Sequence, residues 1–192
     1  MIIKIKEKTI PPKILNTIFN VKSFILHNSS KYFYYIIFSS LLANATEPIL
    51  VQVTTIVSNE IQKVQANNFS FYSIPYGILG VSNILNENQD NQNCQQSLQE
   101  LYLQNPKLKY FSQYLLQRNQ LYHVEIKNQK TLLYAKGDKT LSLLLLENGL
   151  AIVENNFRDE EFKFSFMRAQ KQAKKSKKGI WKKKIIQNCS LR

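Results

Sequence analysis

The sequence predicts an α+β domain: a five-stranded OB-type β-barrel with C-terminal helices, preceded by a basic N-terminal segment that carries an apolar helix. Three observations predict it. Short β-rich runs bounded by turn residues recur between residues 49 and 153. An amphipathic stretch interrupts them before the fourth run. A long helix, acidic at its start and lysine-rich at its end, follows the fifth. That element order is the order of such a barrel. The divisions expected are an attachment segment over 1–47, the barrel domain over 48–184 and a tail over 185–192.

Residues 1–31 carry six lysines against Glu7. Their charge resembles a mitochondrial address, although the usual arginine is absent, and an uncleaved, internal-type signal is expected. Tyr32–Ala43 then reads YFYYIIFSSLLA, with Asn44 closing it and Glu47-Pro48 ending the stretch. It is too short to span a bilayer, which takes about 20 apolar residues. Extending it backwards would place Lys22 and Lys31 in the hydrocarbon. Tyr32, Phe33, Tyr34, Tyr35, Ile36, Ile37 and Phe38 are therefore the candidate membrane contacts, at an interface. A helix packed on a partner protein and a core helix of this chain are the alternatives.

Ile49–Val57 is the first strand, with apolar residues at 49, 51 and 53 and then at 56–57. Ser58-Asn59-Glu60 turns the chain. Ile61–Gln65 and Phe69–Ile74 are the next two strands, and Pro75-Tyr76-Gly77 breaks the third before a short continuation at Ile78–Val81. Residues 86–97 read as a polar loop. Leu98–Gln117 is helical in pattern, with a restart at Pro106. Leu121–Ile126 and Thr131–Ala135 are the last long strands, and Lys136-Gly137-Asp138 is a turn. Leu141–Glu147 is a short apolar helix closed by Asn148-Gly149, and Leu150–Val153 is a brief strand. The final helix starts at Asp159-Glu160-Glu161, places Phe162, Phe166, Ala169 and Ala173 on one face, and is expected to stop at Gly179. Ile180-Trp181 then fold back as an apolar plug.

Composition narrows the function. Hydrophobic residues make up 44% of the 192, enough for a core, so disorder throughout is excluded. The net charge of +13 is uneven: residues 32–162 are slightly acidic, whereas 163–184 hold ten basic residues and no acid. Cationic ends suit a polyanionic neighbour. The 35 Asn and Gln against four Arg are the pattern of an AT-rich coding sequence, so polar richness alone signals nothing. Cys94 and Cys189 lie far apart without CxxC spacing, so neither a disulfide-stapled scaffold nor a zinc module is expected. Two histidines are too few for a His-based metal cluster. No GxGxxG or P-loop occurs, and no cofactor is expected.

The run from Leu145 to Val153 (L-x-E-N-G-L-A-x-V) and the run from Ala169 to Trp181 (A-Q-K-Q-A-K-K-S-K-K-G-I-W) resemble the C-terminal half of staphylococcal nuclease-like domains. The resemblance covers residues 98–184 well and 49–97 weakly. It implies the same barrel, and a site in which carboxylates from the early strands hold calcium, a glutamate acts as general base and two arginines grip phosphate. Those positions look vacant. Ser82 stands where the second motif has its aspartate, no arginine precedes Arg118, and Lys130 stands near the place of the second arginine without its planar fork. Glu60 is the one carboxylate between 48 and 86 and reads as an exposed turn residue. No catalytic or metal-binding residue is expected.

The layout also resembles a narrower family of mitochondrial inner-membrane proteins implicated in cristae organisation. That resemblance implies an accessory subunit of an inner-membrane assembly, such as a respiratory-chain complex, on its matrix or intermembrane face. Its partners would be other protein subunits and lipid, cardiolipin included. Lys171, Lys174, Lys175, Lys177, Lys178, Lys182, Lys183 and Lys184 are the candidate contacts. A single-stranded nucleic-acid module, stacking bases on Phe69, Phe71, Tyr72 and Tyr76, is the alternative, and residual calcium-dependent hydrolysis is the least expected reading.

Overall fold

The computed structural model describes residues 48–191. The segment 1–47, with the membrane contacts expected at Tyr32–Phe38, lies outside the described residues.

Strand β1 (Ile49–Ile56) lies at the centre of a six-stranded antiparallel sheet. It pairs with β2 (Gln62–Ala66) on one side and β5 (Leu121–Lys127) on the other. β3 (Phe69–Ser73) extends the sheet beyond β2, and β6 (Lys130–Lys136) and β7 (Lys139–Thr140) extend it beyond β5. Val51, Val53 and Ile56 of β1 are buried. The step from alternate positions to Ile56 is a bulge, because the register slips between Val53 and Thr55. β4 (Ile78–Gly80) leaves this sheet and pairs antiparallel with β8 (Ala151–Val153), both strands buried or nearly so.

The mostly antiparallel sheet is consistent with the expected OB-type domain, but among the described residues it does not close into a barrel. The two flanks of the large sheet meet at a parallel bridge between Pro75 and Thr131, beside which the Ser73 and Thr131 hydroxyls lie 2.7 Å apart. Around it the Thr131 amide donates to Ile74 (2.8 Å) and the Tyr76 amide to Thr131 (3.0 Å). Pro75 has no N–H with which to continue a ladder. Gly77, at φ +75°, then turns the chain away into β4.

The polar loop expected over 86–97 is also corrected. The chain forms α1 (Val81–Glu87) and α2 (Gln92–Gln104), the latter capped by Asn91, whose side chain accepts from the Cys94 amide at 3.1 Å. Cys94, Leu98 and Leu101 sit on the buried face of α2. Helices α3 (Pro106–Lys109) and α4 (Phe111–Leu115) follow, with Pro106 in the first turn of α3. Helix α5 (Leu141–Glu147) has the expected bounds, is capped by Thr140 and is almost wholly buried. Helix α6 (Glu160–Lys175) packs Phe166, Ala169 and Ala173 inward. It ends at Ser176, ahead of the expected Gly179: Lys177 takes the left-handed turn at φ +50°, and the Lys178 amide reaches back to Ala173 (3.0 Å).

Residues 185–189, expected as tail, belong to the folded domain. Helix α7 (Lys183–Asn188) buries Ile185 and ends at Cys189, which is disulfide-bonded to Cys94. That bond overturns the expectation that the two cysteines do not staple the fold; it joins residues 95 apart in sequence. The Asn188 side chain donates to Ser97 (2.7 Å), and the Ser190 amide donates to Asn88 (3.2 Å).

One polar cluster ties α6 to the sheet. Asp159 caps the helix through the Glu161 amide (3.0 Å). Its other oxygen meets Lys127 (3.3 Å) and the Tyr76 hydroxyl (3.2 Å). Burial works against the Asp159 carboxylate, but Lys127, the Phe162 amide and Tyr76 outweigh it and hold the carboxyl below its ordinary range. A depressed folded value stabilises above the unfolded one and is lost as pH falls through the folded one. Asp159→Asn keeps a cap but removes the ion pair. It should lower stability by about 0.5–1 kcal/mol above pH ~4 and leave a shallower acid limb. Denaturation midpoints measured from pH 7 down to pH 2 check this; parallel curves for both proteins would refute it.

Candidate functional site

The corner between β1 and β2 packs against the start of α1. Asn59 and Glu60 are both buried there, Glu60 with 7% of its surface exposed. Its carboxylate accepts from the Ser82 hydroxyl, and the Ser82 amide lies 3.4 Å from the other oxygen. The expectation of an exposed turn residue is overturned. The space exists because residue 80 is glycine: a Cβ there would lie 2.2 Å from the Glu60 carboxyl carbon. Asn59 fixes the turn from behind, donating to Leu108 (2.8 Å) and accepting from the Ser112 amide (2.9 Å). Gln62, fully buried, donates to the Ser58 and Asn59 carbonyls at 3.2 Å. Tyr102 lines the same corner, and burial together with the Glu60 charge raises its phenol.

Glu60, in the first turn, and Ser82, which the resemblance set in the second motif, thus face each other. The donors of this corner do not suit calcium. Calcium takes six to eight oxygens, several of them anionic, whereas this corner offers one carboxylate whose neighbour is a hydroxyl already donating to it. Among the described residues, no group of three or more His, Cys, Asp or Glu gathers to hold a metal. Lys130 is occupied elsewhere, in an ion pair with Glu154.

The lysines expected as contacts lie on the last turns of α6, the turn after it, and α7. Three have partners: Lys174 stands over the Trp181 ring (4.3 Å), Lys178 reaches the Glu147 carbonyl (3.5 Å), and Lys184 pairs with Glu100 (2.5 Å). Lys171, Lys175, Lys177, Lys182 and Lys183 make no ion pair among the described residues. Of the candidate stacking rings, Phe69 and Tyr72 are 60% and 61% exposed. Phe71 is half-buried, and Tyr76 is buried against Phe157. Trp181 is buried, as its reading as a plug requires.

The family model for staphylococcal nuclease homologues matches residues 85–183. The chain belongs to that family. The matched stretch starts after β4 and so leaves out the corner that holds Glu60 and Ser82. A search of curated proteins returns no match. Gly149 and Gly179 are where two backbones touch, with the Ile180 amide donating to the Gly149 carbonyl at 2.9 Å. Among the described residues, no helix is long and apolar enough to cross a membrane.

Proposed function

We propose that this nuclease homologue is a non-catalytic binding module, an accessory subunit that docks on an anionic partner through its C-terminal lysines. One observation carries the first half: Glu60 is satisfied inside the protein by Ser82, and among the described residues no group of three or more potential metal ligands gathers. A calcium-dependent cleavage assay on single-stranded DNA is expected to give no activity above background. Cleavage by the wild type that is lost in Glu60→Gln overturns the proposal.

The second half is supported by the five lysines that make no ion pair among the described residues. Each lysine near an anionic membrane is worth about 1 kcal/mol. Reversing three of them (Lys175→Glu, Lys177→Glu and Lys183→Glu) should weaken binding to cardiolipin-containing vesicles by about 100-fold, with no change on neutral vesicles. Equal binding before and after reversal rejects the lysine face. If the wild type binds no vesicle, acidic protein is the partner class, and affinity capture from solubilised membranes is the assay. The narrower reading, a subunit of a mitochondrial inner-membrane assembly, rests on the layout of basic start, apolar stretch and domain, and requires Tyr32–Ala43 to be retained. Exposed Phe69 and Tyr72, with Lys63 opposite Tyr72 on β2, favour single-stranded nucleic acid as a second reading. Salt-sensitive oligonucleotide binding that Tyr72→Ala weakens would select it.

A further inference from the structure

The lysine run at the end of α6 has a serine at its centre: Lys174-Lys175-Ser176-Lys177-Lys178. No other Ser, Thr or Tyr of the chain has lysine on both sides. Ser176 is the C-terminal cap of α6, and its amide donates to the Gln172 carbonyl at 3.0 Å. The residue is exposed, and its hydroxyl makes no hydrogen bond among the described residues. Two other hydroxyls that follow a lysine are differently placed. Thr131 and Thr140 are buried, the first bonded to Ile74 (3.0 Å) and the second capping α5.

The surroundings of Ser176 are cationic. Residues 163–184 hold ten basic residues and no acid, so a phosphate on Ser176 would be the first anion of that stretch. Of its neighbours, Lys174 lies over Trp181 and Lys178 reaches the Glu147 carbonyl, whereas Lys175 and Lys177 make no ion pair among the described residues. Lys177, at φ +50°, turns the backbone out of the helix, and the buried residues resume at Gly179. A group added at 176 therefore stays outside the core.

We propose that Ser176 is a phosphorylation site for a kinase that selects serine between basic residues, and that its phosphate releases the anionic partner. The release rests on the docking role proposed for the lysines; the modification does not. In the transfer, the Ser176 Oγ bonds to the γ-phosphorus of ATP as the bond from that phosphorus to the bridging β–γ oxygen breaks. ADP leaves, and the hydroxyl proton passes to a carboxylate base of the kinase. The product carries about −1.5 to −2 charges at pH 7. The carbonyls that end α6 oppose an anion there, so lysines must hold it. Lys175 and Lys177 pair with it within the chain, by charge-assisted hydrogen bonds. An outside anion then loses the attraction of about two lysines, which near an anionic membrane weakens binding about 30-fold.

The test incubates the full chain with a purified basophilic kinase and Mg-ATP, beside a synthetic peptide covering residues 170–182, and locates phosphate by mass spectrometry. Phosphate on Ser176 is expected in both, and Ser176→Ala should take none in that stretch. A protein unlabelled at Ser176 overturns the site: with the peptide labelled, the folded turn is closed to the enzyme, and with neither labelled, the sequence is not read. The phosphorylated protein, unmodified wild type and Ser176→Ala are then compared on cardiolipin-containing vesicles and on immobilised polyglutamate. Ser176→Ala should bind as wild type does. The phosphorylated protein should bind the anionic vesicles about 30-fold more weakly and recover after phosphatase treatment. Equal binding before and after phosphorylation overturns the release and leaves the docking reading intact. Weakening by Ser176→Ala alone also overturns it, since the serine rather than its phosphate would then support the face. Unmodified protein that binds neither surface overturns the docking reading and the release together, and leaves the labelling result to decide the site.

Discussion

Reducing the Cys94–Cys189 disulfide is expected to lower the unfolding free energy by roughly 3–5 kcal/mol, a large share of the total for a domain of this size. The bond closes a loop across 95 positions, from α2 to the end of α7, and so removes many conformations from the unfolded chain. What remains to hold α7 without it is modest. The Ile185 side chain is buried, and the rest is a few hydrogen bonds and the Lys184–Glu100 pair. Each neutral hydrogen bond contributes about 1 kcal/mol, and the half-exposed ion pair less. Guanidinium denaturation with and without dithiothreitol measures the effect. The Cys94→Ala/Cys189→Ala double variant should match the reduced wild type and ignore reductant. Alanine is the better choice than serine here, since both sites are buried and a hydroxyl would need a partner. A wild-type midpoint that does not move on reduction would mean the loop constrains nothing.

The same bond shows what local pattern cannot reveal. Cys94 stands four and seven residues ahead of Leu98 and Leu101 in a helical repeat, a spacing that marks a buried face. The Asn and Gln residues over 86–97 depress the apparent hydrophobicity, so the first half of α2 reads as loop while Leu98 onward reads as helix. Pairing with Cys189 depends on where α7 docks, and nothing near either cysteine encodes that. Elements whose signals are local were legible. The bounds of α5 follow from the Thr140 cap, five leucines and Gly149, and α6 starts where Asp159 promised it. The bulge in β1 was visible as the shift of apolar positions from 53 to 56. The candidate site was half legible. The sequence shows that acidic residues and arginines are few in the early strands, and the resemblance set Ser82 at a position where an aspartate was expected. It does not show Glu60 turning inward, because that depends on Gly80, twenty residues on, having no side chain.

Gly179→Ala is expected to cost about 3–5 kcal/mol, and Gly137→Ala only about 1–2 kcal/mol. Both glycines have positive φ, +53° and +56°. An alanine pays the same left-handed penalty at each, of about 1–2 kcal/mol. The difference lies in the surroundings. A Cβ at 137 meets nothing within 4 Å, whereas at 179 it would lie 2.1 Å from the Gly149 carbonyl oxygen and 2.7 Å from that of Asn148. Neither carbonyl can swing away. The Gly149 and Leu150 amides are bonded back to Leu146 (3.0 Å) and Leu145 (2.9 Å), the two bonds that terminate α5. The Gly149 carbonyl is also the acceptor for Ile180. The only relief is to lift the turn Gly179–Trp181 off α5, which withdraws the fully buried Ile180 and the buried Trp181 from the core. Paired thermal or chemical denaturation of the two variants separates the close approach from the backbone conformation. If they lose equal stability, the contact between the two backbones is not what requires glycine at 179.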